Sequence, residues 1–124
     1  MLFDAHCHLQ DPRLKPFLTD ALVHARDLGI SRWMVNGTKE SDWESVKNLS
    51  VEQTGIYVSY GLHPWWQKER TDSWQNGLVE HLTENKSAGI GETGLDRWMP
   101  EHDLEDQKKL LIKHLEVAVE MKRP

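Results

Sequence analysis

Three observations predict an α/β fold: a strand-then-helix unit recurs four times, the strands are short and apolar, and the polar clusters fall at strand ends. Strands that alternate with helices pair in parallel through right-handed crossovers. Four such units in 124 residues amount to half of an eight-fold TIM-like (β/α) barrel, which takes about 250 residues. The expected architecture is therefore a half barrel holding only the first four βα units. Residues 1–124 form its N-terminal half with no internal boundary, since no linker or low-complexity segment interrupts them. A fifth strand falls due where Pro124 stands, so the domain is expected to be incomplete.

Leu2 to Leu9 alternates apolar and polar residues and reads as the first strand. After Pro16, apolar residues at Leu18, Ala21, Leu22, Ala25 and Leu28 follow helical spacing, and Gly29 supplies the stop. A second strand runs from Arg32 to Thr38. Ser41 with Glu44 three residues on predicts a capping box, opening a helix that buries Trp43, Val46 and Leu49. The third strand covers Ile56 to about His63, followed by a looser helix with Trp74, Leu78 and Leu82. The fourth covers Ala88 to about Leu95. A long helix then begins near Pro100, with Glu101, Asp103, Glu105 and Asp106 at the positive end of its dipole and Lys122 and Arg123 at the other. Leu104, Leu111, Leu115 and Ala118 are its expected apolar stripe.

Composition narrows the functional classes. One cysteine excludes an intrachain disulfide framework, and C-x-x-C knuckles are absent. No apolar run approaches the roughly 18 residues of a membrane span. The first residues lack a basic lead-in and a cleavage pattern, so a cytoplasmic protein is expected. A net charge of −5 gives no electrostatic pull toward nucleic acid, so any phosphate chemistry here needs bound cations.

The densest chemical signal is Asp4-Ala5-His6-Cys7-His8. Period two puts Asp4, His6 and His8 on one strand face, where two imidazoles can share a divalent cation and Asp4 can hold a ring. The plainer alternative is a pair of histidines lining a polar barrel interior. In Gly89-Ile90-Gly91-Glu92-Thr93-Gly94-Leu95-Asp96, Glu92 lies at the same end of its strand and can complete a cation site; alternatively, this is a glycine-rich turn with an exposed acid. His63, in Gly61-Leu62-His63-Pro64, faces a phosphate or a metal-bound water, or else caps the turn at Pro64. Three strand ends thus send His, His, His and Glu to one face, and active sites of such barrels gather at the C-terminal face. Trp65, Trp66 and Trp98 are candidates for stacking unpaired bases, and Lys68, Arg70 and Arg97 for meeting phosphates; a tryptophan-covered rim with ordinary surface charges is the competing view. His24, His81, His102 and His114 are expected on solvent-facing helix surfaces. Cys7, alternating away from the histidines, is expected to pack beneath a helix.

In order and spacing, Asp4-Ala5-His6-Cys7-His8-Leu9, Gly61-Leu62-His63-Pro64 and Gly91-Glu92-Thr93-Gly94-Leu95-Asp96 resemble the first three signatures of the TatD-type metal-dependent deoxyribonucleases. These are members of the amidohydrolase-like barrels, many of which carry a carbamylated lysine where this chain has Glu92. The resemblance covers the whole chain. It implies that His6, His8 and Glu92 are metal ligands, with Glu92 catalytic and bridging two divalent cations whose identity (Mg, Mn or Zn) is open. His63, Asp96, Arg97 and Trp65 would face the substrate, which would be DNA trimmed from a 3′ end. Arg97-Trp98 departs from the aromatic residue usual directly after the Asp. The family's further ligands, a His on strand five, a His on strand six and an Asp on strand eight that would act as general base, have no counterpart here. The chain is accordingly expected to be inactive alone, and to self-associate or pair with a complementing C-terminal half. A non-catalytic half barrel acting only by assembly is the alternative function, because exposed edges and an apolar inner surface are liabilities in water.

Overall fold

The computed structural model describes residues 1–124. Four strands, β1 (Leu2–Cys7), β2 (Ile30–Asn36), β3 (Ile56–Tyr60) and β4 (Gly89–Ile90), form one sheet in the order of the chain. Every pairing is parallel, with Cys7 beside Val35, Asn36 beside Ser59 and Tyr60 beside Ile90. Helices α1 (Leu18–Asp27), α2 (Glu40–Glu52) and α3 (Trp74–Glu84) connect successive strands, and α4 (Leu104–Met121) follows the last. This is the sheet and helix arrangement of half a TIM-like barrel.

Alternation along the strands divides the sheet into two faces. Trp33 and Val35 on β2, with Ile56, Val58 and Tyr60 on β3, point to the helices and are buried. Trp43, Val46 and Leu49 of α2 and Trp74, Leu78 and Leu82 of α3 meet them, so both predicted stripes are the buried ones. The opposite face corrects one expectation: it is polar toward the C-terminal ends, where Ser59 donates to Asn36 Oδ1 at 2.7 Å. Toward the other end it carries Phe3 and Tyr57, edge to face at 6.0 Å, and Met34 beside Tyr57.

Several element boundaries differ from those expected. The capping box at Ser41 and Glu44 does not form. Instead α2 starts earlier, and the Asp42 carboxylate accepts the Thr38 N–H, the Thr38 hydroxyl and the Lys39 N–H. The strand expected over Ala88–Leu95 pairs only at Gly89–Ile90. Gly91, at φ +155°, leaves the sheet with a backbone conformation that residues bearing a Cβ rarely adopt. Pro100 precedes the last helix rather than starting it; Asp103 caps α4 by accepting the Asp106 N–H at 3.0 Å.

The largest correction concerns the face of α4. Its buried residues are Gln107, Leu110, His114 and Val117, while Leu115 is exposed and Leu104, Leu111 and Ala118 are only partly covered. His114, expected in solvent, is 1% exposed. Burial pushes its pKa below the usual imidazole value, and the hydrogen bond to the Leu110 carbonyl offsets this only in part. His81 is half-buried against the rings of Trp43 and Tyr60, whereas His24 is exposed, and His102 is exposed in the loop before α4.

Candidate metal centre

His6 and His8 come from one edge of the sheet and Glu92 from the other. In a flat four-stranded sheet the outer strands lie about 14 Å apart. Here the sheet curls, and the segment after β4 crosses the top of β3: the Gly91 N–H donates to Tyr60 O at 3.0 Å and the Glu92 N–H to Gly37 O at 2.9 Å. Gly61 makes that crossing possible, because a Cβ there would run into the Glu92 carbonyl.

The result is a compact donor set. Glu92 Oε1 lies 2.6 Å from His6 Nε2 and 3.4 Å from His8 Nε2, and the two Nε2 atoms are 3.3 Å apart. All three ligand atoms fall within 4.8 Å of one another. The set fits a divalent cation on a second ground. His8 Nδ1 sits 3.0 Å from the Asn36 carbonyl, which can only accept, so that nitrogen carries the proton. His8 Nε2 therefore presents a lone pair toward a carboxylate oxygen, and two acceptors facing each other need a proton or a cation between them. Asp4 does not hold either ring; its carboxylate accepts the His6 backbone N–H at 3.2 Å. The orienting partner is instead the Asn36 carbonyl, shared with Gln10 Nε2 at 2.7 Å. A main-chain acceptor on a neighbouring strand leaves no signature in the side-chain sequence.

His63 stands beside this set and lines the clefts on both sides of Glu92. Its Nδ1 accepts the Trp65 N–H at 3.2 Å, so it does cap the turn at Pro64. Neutral His63 then carries its proton on Nε2, as a donor. Trp65 Nε1 donates to Asp96 Oδ2 at 2.7 Å, and the Trp98 N–H donates to Asp96 Oδ1 at 2.7 Å. Those two donors, the Trp98 amide first, hold the Asp96 carboxyl below its usual range. A cleft of about 540 Å³ bounded by His8, Gln10, Arg13, His63, Trp65 and Glu92 opens over the donors.

The remaining candidates divide. Trp98, 88% exposed, and exposed Arg97 project from the loop. Lys39 sits 3.8 Å above the Trp66 ring. Arg70 is bound to Asp106 through two nitrogens at 2.8 Å, so it ties the 64–70 turn to α4 rather than waiting for a phosphate. Cys7 packs as expected, its Sγ donating to Met34 O, and burial raises its pKa to about 12, so it stays a thiol at neutral pH.

A parallel βα sheet with one histidine on its first strand, a second just past that strand's end and a glutamate beyond its fourth strand defines a metal-dependent hydrolase fold of the TatD-like kind. Residues 3–124 match the model of the TatD related DNase family, and the chain belongs to that family. It is 29% identical over 120 residues to the uncharacterized metal-dependent hydrolase YjjV of Escherichia coli K12, covering 93% of this chain and 45% of that protein. It is 26% identical over 124 residues to the uncharacterized metal-dependent hydrolase YabD of Bacillus subtilis 168, covering 100% of this chain and 49% of YabD. The crystal structure of YjjV superposes with a TM-score of 0.92 at 26% identity, over 99% of this chain and 48% of that one. The chain thus spans about half the length of the relatives it matches. No helix is long and apolar enough to cross a membrane.

Proposed function

We propose that this chain carries the N-terminal half of a divalent-metal-dependent phosphodiesterase site that acts on DNA from a 3′ end. The observation that carries the reading is the convergence of His6, His8 and Glu92 from opposite sheet edges onto one point. In this proposal those residues, with Glu92 the least exposed of them, would hold the cations, and Glu92 would be shared between two of them. Divalent cations held there supply positive charge that acidifies water and offsets charge developing on the leaving oxygen.

The chain's own groups do the positioning. His63, which lines the clefts beside Glu92 and keeps its Nε2–H as a donor, suits a non-bridging phosphate oxygen. The Trp65 ring, its N–H taken by Asp96, is half exposed at the cleft rim and suits an unpaired base, and stacking of that kind is tolerant of sequence. Exposed Arg97, next to Asp96, adds a positive charge. His8 is held in one tautomer by the Asn36 carbonyl, so its ligating nitrogen needs no rearrangement.

The test is metal-dependent degradation of a 3′-labelled single-stranded oligonucleotide by a protein that carries these residues together with the following four βα units. Glu92→Ala is expected to abolish it. Undiminished cleavage by Glu92→Ala at saturating Mn²⁺ would refute the role of Glu92.

The alternative of a non-catalytic half barrel that assembles with itself or a second chain draws on a different observation. The β1 edge is unpaired on its outer side, and Leu2 and Phe3 on it are 60% and 49% exposed. Sedimentation separates the two readings: a dimer that binds no Mn²⁺ supports assembly alone.

A further inference from the structure

We propose that Gln107 and His114, on the buried face of α4, are positioning residues that hold the two loops of the substrate side by their backbones. Seven residues apart, they lie two turns along one helix face, in line with Leu110 and Val117. The Gln107 amide engages both peptide groups of a single residue: its Oε1 accepts the Asp96 N–H at 2.7 Å and its Nε2 donates to Asp96 O at 2.9 Å. A neighbouring strand would make the same pair of bonds, so Gln107 does for this loop what β4 is too short to do. His114 acts on the other loop. Its Nδ1 lies 2.7 Å from the Leu110 carbonyl and carries the proton, leaving Nε2 to accept the Leu62 N–H at 3.1 Å.

Each contact ends on a residue that directly adjoins a group facing the cleft. Asp96 receives the Trp65 indole N–H, and Leu62 precedes His63. Leucine at either position would pack this face as well as Leu110 does, but it would leave a main-chain N–H without an acceptor, part-buried at Asp96 and buried at Leu62. The metal donors lie outside this control. The Glu92 N–H is fixed by Gly37 and the Gly91 N–H by Tyr60, and neither residue has a hydrogen bond from α4. The helix therefore sets the substrate side independently of the cation side. This inference rests on the proposed function only in taking Trp65 and His63 as substrate-facing.

The experiment uses the ¹⁵N-labelled 124-residue chain. In the parent, the Leu62 and Asp96 amides are expected to exchange at least about 100-fold more slowly than unstructured amides, as closed hydrogen bonds require. In Gln107→Leu, the Trp65 indole resonance should move toward that of a free indole and lose rigidity, while Mn²⁺ broadening around His6 and His8 stays as in the parent. For His114, Leu should release the Leu62 amide, and Gln, which keeps an acceptor at that reach, should restore its protection. Rapid exchange at both amides in the parent, or an unmoved Trp65 indole in a folded Gln107→Leu variant, would overturn the proposal. Absence of Mn²⁺ broadening in the parent would instead remove the metal reading, leaving the exchange and indole results to decide the role of α4.

Discussion

Replacing Trp43 by Phe tests how the helix layer supports the candidate site. Trp43 is 1% exposed, its Nε1–H donates to Gly61 O at 3.0 Å, and its ring meets the edges of Tyr60 and His81 at 6.5 and 5.7 Å. Phenylalanine keeps the six-membered ring but removes the donor, stranding a buried carbonyl at a cost of about 1–3 kcal/mol. The missing pyrrole ring leaves a gap worth roughly 1 kcal/mol more. The sum, about 2–4 kcal/mol, is a large share of the 5–15 kcal/mol typical of a domain. At roughly 4 °C per kcal/mol for a chain of this size, the melting midpoint should fall by about 8–16 °C. Urea unfolding followed by far-UV circular dichroism measures the free-energy loss, with an unchanged slope showing that compactness is unaltered, and a thermal scan measures the midpoint. A loss below about 1 kcal/mol would refute the claim that the indole–Gly61 bond holds the end of β3 beneath the site.

Three further outcomes are expected. His114 stays neutral when folded, with its pKa lowered by burial, but takes a proton near its ordinary 6.5 when unfolded. The unfolded state therefore binds more protons as pH falls below that value, so stability must decline from there down to the depressed folded pKa. Urea midpoints at successive pH values should show this decline in the parent and a shallower one in His114→Gln; parallel curves would contradict it. Asp42→Ala removes the acceptor for Thr38 and Lys39 at the start of α2, and should cost about 1–2 kcal/mol by urea unfolding. Gly61→Ala places a methyl against the Glu92 carbonyl and should weaken Mn²⁺ binding by calorimetry at least tenfold, roughly the effect of 1.4 kcal/mol, while helix content is retained.

Legibility in the sequence followed the chemistry of each element. The buried faces of α2 and α3 were readable because apolar residues alone fill them. The face of α4 was not, because Gln107 and His114 are buried for the sake of loop backbones, and hydrophobic periodicity assigns such residues to water. Their spacing, in register with Leu110 and Val117, was the signal available. The fourth strand expected over Ala88–Leu95 is too long, because Gly91 reads as strand although it turns the chain out of the sheet. His6, His8 and Glu92 were legible as separate strand-end residues, and the structure brings them together. The Asn36 carbonyl that orients His8 had no sequence signal, since every residue carries a carbonyl. Asp42, rather than Ser41 with Glu44, caps α2 because Thr38 offers it both a hydroxyl and an amide.

The central claim is that His6, His8 and Glu92 together hold a divalent cation. Titrating the chain with Mn²⁺ while following its thermal midpoint, beside Glu92→Gln, tests it most directly. The account predicts a concentration-dependent rise in the parent, equivalent to about 2.7 kcal/mol at a hundredfold excess over Kd, and none in Glu92→Gln. Equal responses in the two proteins, or no response in the parent at millimolar Mn²⁺, would contradict it.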